Sequence, residues 1–471
     1  ANQSMKAPAS CLSIASLAFA SAMIVVLTTH STVAHEPSMS LLSSPVSRVG
    51  QMQRTSLPLS RTVRKPRSRC FANQPASSHD NLGRRQTMKG AGMLPVGLTL
   101  AQLLDFPNTQ QAKASLLTAQ QPVSDARELL RDSLPITNKP IRRIQKEIFT
   151  KITEAVRVPN VKMSEVQSAV SESQKVLAKD KPAIIKDVVG DAAKKDASAT
   201  LAQIELKLNE FQEIIDKKDK QEIPIKQQEI LSLVERIEND MIPSFPFKVP
   251  AEYASGPLLM GRAAVEMQVT CKSSSVTKGG KMKIVLDGYN APVTAGNFLD
   301  LVKRKFYDGM PVQRADGFVV QSGDPGNKQT GFIDPNTKEL RTVPLEIMVK
   351  GDKTPIYDAT LDDVGRYKEV PNLPFNAFGT LAMARAEFEP NSASSQFFFL
   401  LKESELTPSG TNVLDGRYGV FGYITEGKEL LKEVKQGDTI DYIKVISGSD
   451  NCKNCINENA VAAASEDVTV A

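Results

Sequence analysis

A change of hydrophobic period near the middle of the chain limits its folding most. Up to residue 241 apolar residues recur at intervals of three and four, and from residue 265 they alternate. The first pattern belongs to helices with one buried stripe, the second to strands with one buried face. Pro243, Pro246 and Pro250 lie between the two regimes, and prolines so spaced read as a linker. A chain of 471 residues is also too long for one ordinary core. The expectation is a multidomain protein: an N-terminal all-α helical bundle over residues 115–248, then an all-β closed barrel with two helices over residues 249–447.

Three apolar rows define the helical half. Ile141, Ile144, Ile148, Ile152 and Val156 form one; Leu201, Ile204, Leu208, Phe211 and Ile215 a second; Ile230, Leu233, Val234 and Ile237 a third. Lys and Glu occupy the opposite faces. Between the first two rows, Val166, Val170 and Leu177, then Ile184, Ile185 and Val188, predict two shorter helices parted near Lys181-Pro182. The spacing is not a sustained heptad, which favours a bundle over a long coiled coil. In the second half, strands are expected at 265–271, 281–287, 317–322, 379–383, 396–401, 418–423 and 441–446, with helices at 292–303 and 428–434. Many short strands with two helices suit a small barrel.

Residues 1–114 hold 12 Lys or Arg and 3 Asp or Glu, leaving 46 basic and 50 acidic residues in the body. A basic leader ahead of a mildly acidic body gives nucleic-acid binding little support. From Met39 to His79 the composition is rich in Ser and Arg and has no Asp or Glu, as in a transit peptide. Met39 is read as the start, with residues 1–38 a gene-model extension; the rival reading takes residues 1–38, apolar over 11–28, as a real signal sequence or anchor. Arg84-Arg85, an apolar run over 90–106 and Ala112-Lys113-Ala114 follow. Twin Arg, apolar core and A-x-A resemble the second half of the bipartite leader of thylakoid lumen proteins. Residues 1–114 are accordingly expected to be cleaved, and the mature chain to begin at Ser115.

His30, His35 and His79, the three His of the chain, all lie in that leader. A mature body without His excludes Ser-His and Cys-His nucleophiles and His-ligated zinc. No cofactor or metal constellation appears. The Cys are Cys11, Cys70, Cys271, Cys452 and Cys455, not a disulfide framework. Cys452 and Cys455 sit in a segment, 448–471, expected to be a disordered tail; a local disulfide or no role is favoured there over redox or metal chemistry.

The chemistry concentrates in FYDGMPVQRADGFVVQSGD, residues 306–324, and NSASSQFFF, residues 391–399. Read as strands, these bring the Arg314 guanidinium, the amides of Gln321 and Gln396, and the rings of Phe318 and Phe398 to one surface. That set suits gripping a peptide with an apolar residue in it. Phe397 and Phe399 alternate with Phe398 and read as core, as does Cys271.

FYDGMPVQRADGFVVQSGDP, LAMARAEFEPNSASSQFFFLL and LDGRYGVFGYI, in that order, resemble the cyclophilins, the peptidyl-prolyl cis/trans isomerases. The resemblance covers residues 257–447. With the helical domain and leader it narrows to the large multidomain cyclophilins of the thylakoid lumen. It implies a cyclophilin-like barrel, no cofactor, and isomerisation of prolyl segments of lumenal or membrane proteins, photosystem II subunits among them, during assembly. The chain would be peripheral to the thylakoid membrane at most.

The family's catalytic Arg falls on Arg314, with Phe318 and Gln321 beside it. Its proline pocket falls on Phe318, Val319 and Phe398, its amides on Gln321 and Gln396, and its groove and pocket wall on Ala384 and Leu414. Four positions depart from the family pattern: Val319 stands where Met is usual, Arg385 for Asn, Val413 for Trp and Tyr418 for His. Residues 326–377 are also longer than in compact members. The alternative to an active isomerase is a cyclophilin-fold binding module of weak or no activity, with the helical domain regulating the groove or recruiting a partner.

Overall fold

The computed structural model describes residues 122–402 and 412–457. The leader expected over 1–114 and the tail beyond residue 457 lie outside the described residues.

Helix α1 (Ala126–Asp132) opens the helical region, and the Asp125 carboxylate caps it by accepting from the Glu128 amide at 2.9 Å. Helix α2 (Lys139–Lys146) is capped by Asn138 and passes through a π-helical turn (Glu147–Lys151) into α3 (Ile152–Arg157). The wider turn frees backbone carbonyls. The Gln227 amide fills them, donating to Ile148 O at 2.8 Å and Phe149 O at 3.2 Å. Helices α4 (Met163–Lys186), α5 (Asp191–Lys217) and α6 (Glu222–Asn239) complete the region. The three apolar rows meet in one core, with Val156 and Leu233 only partly buried at its edge.

One expectation for this half is corrected. Residues 163–186 form one helix, not two parted at Pro182. Pro182 and Ala178, whose carbonyl loses its partner, are both exposed, so water can satisfy that carbonyl. Buried Ile184 and the bond from Asn138 Nδ2 to Ala183 O, 3.1 Å, hold the last turn in place. Helix α1 was not singled out in the sequence. Its Ala126, Leu129 and Leu130 join a barrel cluster with Val319, Ala382, Phe398 and Tyr423. The Ser133 carbonyl accepts from Asn290 Nδ2 at 3.1 Å, and the Ser133 hydroxyl donates to Asp287 at 3.0 Å. On its other side Arg131, fully buried, pairs with Glu128 at 2.8 Å and Glu235 at 3.2 Å. Helix α1 thus straps bundle to barrel.

The strands are β1 (Leu258–Leu259), β2 (Arg262–Thr270), β3 (Gly279–Asp287), β4 (Met310–Ala315), β5 (Val319–Ser322), β6 (Glu346–Ile347), β7 (Ile356–Tyr357), β8 (Thr380–Met383), β9 (Phe397–Leu400), β10 (Val420–Glu426), β11 (Thr439–Ser447) and β12 (Cys452–Lys453). Eight of them close a barrel in the order β10-β3-β2-β11-β4-β5-β9-β8. Helix α7 (Pro292–Lys303) supplies Phe298, Leu301 and Val302 to the core; Phe298 meets Phe397 edge-on at 5.2 Å. The second expected helix is a 3-10 turn, Lys428–Lys432, because Leu431 is its sole buried residue and offers no stripe for an α-helix.

The long insert is tied into the fold. Buried Glu346 on β6 caps α7, accepting from Thr294 N at 3.0 Å and Thr294 Oγ1 at 2.9 Å. Burial pushes its carboxyl up to about 7, against the pull of the bond from the Thr294 amide. The start of the supposed disordered tail is also ordered. Strand β12 pairs with β1, Cys452 is disulfide-bonded to Cys455, and Asn454 Nδ2 donates to Ala254 O and Gly256 O, each at 3.0 Å. Polar side chains suggested disorder; the free backbone edge of β1 supplied the partners. Among the described residues no helix is long and apolar enough to cross a membrane.

Candidate active site

Strands β4 and β5 pair antiparallel and set Arg314 opposite Gln321. Strand β5 pairs in turn with β9, which sets Gln321 opposite Phe398. Alternation on β9 sends Phe397 and Phe399 to the core and leaves Phe398 in the pocket cluster. The outcome is a cavity of about 180 Å³ lined by Arg314, Phe318, Val319, Gln321, Ala384, Arg385, Phe398, Leu414 and Tyr418. All of these are barrel residues. Phe398 lies parallel to Phe375 at 6.1 Å and edge-on to Tyr418 at 5.6 Å, so both rings fix its plane.

Nine of the eleven residues proposed from the sequence therefore share one cavity; Gln396 and Val413 stand outside it. Gln396 supports the wall: its Oε1 accepts from Gln321 Nε2 at 2.9 Å, and its own amide donates to Thr330 O at 2.9 Å. Val413, 54 % exposed, lines a neighbouring hollow instead. Val413 is not among the residues lining the cavity beside Arg314.

Two polar contacts fix the lip and wall of the cavity. Gln321 bonds Gln396, while Arg314 is held by Asp316, Nε to Oδ2 at 2.6 Å. The Asp316 carboxylate also accepts the amides of Phe318 and Val319 at 3.0 Å each. The Val319 amide bond, with the Phe318 amide and Arg314 adding to it, holds the carboxyl down at about 2. The sequence marked Asp316 only by its place before Gly317, a turn pattern in which a side-chain oxygen folds back on the backbone. Arg385, proposed as a substrate contact, spends its donors on the protein. Its Nε and Nη2 donate to Arg417 O at 2.9 and 2.7 Å, and its Nη1 to Ala386 O and Glu387 O at 2.8 Å each. It brackets the two loops bordering the cavity and lies 4.9 Å over the Tyr418 ring.

Asp415, missed in the sequence, anchors the loop carrying Leu414. It accepts from Phe375 N and Asn412 N at 2.8 Å each, and burial pushes its carboxyl up to about 6. Among the described residues no cluster of His, Cys, Asp or Glu could hold a metal ion. A fixed cation at the lip of an apolar cup, with no acid–base pair inside, can polarise a bound peptide without moving a proton.

A closed eight-stranded barrel bearing such a cup has the form of a peptide-binding site, an apolar hollow with a fixed cation at its lip. The chain belongs to the cyclophilin-type peptidyl-prolyl cis-trans isomerases, whose family pattern it matches over residues 269–453. Residues 125–242 match a second family, the PsbQ-like domain of CYP38-like peptidyl-prolyl cis-trans isomerases. It is 48% identical over 341 residues to peptidyl-prolyl cis-trans isomerase CYP38, chloroplastic, of Arabidopsis thaliana, covering 72% of this chain and 78% of that one. A Synechocystis protein bearing the name of a thylakoid lumen peptidyl-prolyl cis-trans isomerase is 44% identical, over 74% of this chain and 89% of its own. Chloroplastic CYP37 of Arabidopsis thaliana is 30% identical, over 76% and 77%.

Proposed function

We propose that the chain is an active prolyl isomerase of the thylakoid lumen that helps fold and assemble photosystem II proteins. The observation that carries the catalytic part is Arg314 beside an apolar cup of Phe318, Val319, Phe398 and Leu414. An X-Pro bond rotates over a barrier of about 18–20 kcal/mol because its nitrogen lone pair is shared with the carbonyl. The cup would hold the proline ring while the carbonyl side turns. The guanidinium would donate to the nitrogen as its lone pair localises, stabilising the twisted state over the planar one. Gln321, fixed by Gln396, would keep its Oε1 side toward the substrate backbone. The catalytic set is Arg314, Phe318 and Gln321; Val319, Ala384, Phe398, Leu414 and Tyr418 form the binding wall.

A protease-coupled prolyl assay on the chain from Ser115 tests this. Arg314→Ala is expected to lower kcat/KM about 100-fold or more, as loss of one transition-state donor does. Equal rates for the two proteins discard the isomerase reading. A second reading is supported by the Arg314 tether to Asp316 and by Arg385, whose donors are engaged: a binding module that holds prolyl segments with little turnover. It predicts peptide binding with no rate difference.

The lumenal location is supported by the order of leader features, with cleavage after Ala114, and by the relatives' chloroplastic and thylakoid lumen names. The photosystem II role rests on the family resemblance. Titration of the chain with proline-bearing lumenal loops of photosystem II subunits, beside Pro→Ala controls, tests it; indifference to the proline removes that role.

A further inference from the structure

A second cavity, of about 430 Å³, opens beside the proline pocket, within the range of small-ligand sites. The two share Arg385, Leu414 and Tyr418 as a common wall. The far side is built by residues outside the barrel strands: Asp362 and Asp363 from the insert, and Phe388 from the loop after β8. Phe388 is 89 % exposed and Val413 54 %. A single exposed apolar side chain is ordinary, but two flanking one hollow next to a peptide site are not.

The walls are held without a ligand. Arg417 Nε donates to Asp362 at 3.0 Å, and Arg385 holds the Arg417 carbonyl at 2.7 Å. Asp363 accepts the Thr360 hydroxyl at 2.7 Å and the Thr360 amide at 3.0 Å. The polar lining carries both signs. Arg385 and Arg417 oppose a basic occupant, and Asp362, Asp363 and Glu387 oppose an acidic one. What remains favourable is a flat neutral side chain against Phe388, Val413 and Leu414, with the planar Arg385 guanidinium nearby to stack on.

We infer that this cavity takes an aromatic side chain of the substrate, lying within about three residues of its proline, since an extended peptide advances only about 3.3 Å per residue. The insert, through Asp362 and Asp363, would then help to set substrate choice. The inference rests on the proline-pocket reading above.

Fluorescence anisotropy on the full chain tests it. Labelled peptides with one proline carry Phe, Ala, Lys or Glu at each of three positions on either side, beside Pro→Ala versions. At one position Phe is expected to bind at least about fivefold tighter than the other three, the return on partly burying one ring. Phe388→Ala, at an exposed position that leaves the core intact, is expected to erase most of that preference and leave the Ala peptides unchanged. Equal affinity for Phe and Ala at every position, a preference for Lys or Glu, or a Phe preference that survives Phe388→Ala overturns the subsite while the proline pocket stands. Indifference to Pro→Ala removes the pocket reading and the subsite with it.

Discussion

Arg314 Nη2 lies 2.5 Å from the Asp316 carboxylate, two residues along the same chain segment and at the lip of the apolar cavity. The contact aligns the guanidinium, and it also competes with any substrate for it. Exposed pairs of this kind are weak, so a bound peptide can draw the guanidinium away at small cost.

Asp316→Ala is therefore expected to lower kcat/KM about three- to tenfold, through loss of alignment rather than of charge. Asp316→Asn should retain part of the activity, because the amide oxygen can still accept from Phe318 and Val319. The depressed carboxyl contributes stability that is present above its ordinary value and lost as pH falls through about 2. The carboxylate is thus ionised throughout pH 5–8, and prolyl-assay rates should show no titration from it there. An increase in kcat/KM for Asp316→Ala would identify the tether as inhibitory.

Arg385 predicts a different signature. It joins the 384–387 and 414–418 loops through carbonyls and orders Tyr418, which in turn orders Phe398. Arg385→Ala should weaken prolyl-peptide binding about three- to tenfold, raising KM more than it lowers kcat, because a wall moves and no transition-state donor is lost. Arg385→Lys should not rescue, since one ammonium cannot span the same carbonyls as a planar fork. Unchanged KM in Arg385→Ala would show that the bracket does not shape the cavity.

Strict alternation made most of the barrel readable. Val265, Met267 and Val269, and Met282, Ile284 and Leu286, are buried as their period requires. The helical rows were readable for the same reason. Pro182 misled because sequence cannot tell whether its orphaned carbonyl will face water or core. The docking of helix α1 was not readable, because Leu129 and Leu130 show which face is apolar and not what that face meets. In the site, Arg314, Phe318, Gln321 and Phe398 were legible from local spacing and the family pattern. Asp316, Asp415 and the role of Arg385 depend on which backbone amides and carbonyls lie within reach, and those are set by the fold.

The disulfide offers a third prediction. Cys452 and Cys455 close a short loop that keeps Asn454 on the carbonyls before β1 and Ile456 N on Asp300 at 2.8 Å. Reduction, or Cys452→Ser with Cys455→Ser, should lower stability by about 1–2 kcal/mol, the entropy expected from so short a loop. Cys271 is buried and free, and its thiol should not react before unfolding. A melting curve unchanged by reductant would show that the pairing of β12 with β1 holds without the cross-link.

The buried carboxylates at α1 predict how stability depends on pH. Glu128 is pushed up to about 7 and Glu238 to about 8, in both cases by burial first, against the pull of Arg131 and Arg142 respectively. Glu238 Oε2 has no donor, which suits a protonated group. A carboxyl raised in the folded state binds more protons folded than unfolded. Its contribution is fully present below the unfolded value of 4.5 and is lost as pH rises through 7 for Glu128 and 8 for Glu238. Buried Glu346 and Asp415 act in the same direction up to about 7 and about 6. Unfolding followed by circular dichroism should therefore show stability rising as pH falls from 8 to 5, by on the order of 1–2 kcal/mol once the arginine partners are allowed for. Glu128→Gln with Glu238→Gln keeps the shape and removes both titrations, so it should flatten most of that slope. A slope of the opposite sign would mean that the arginines hold both carboxylates ionised where α1 joins bundle to barrel.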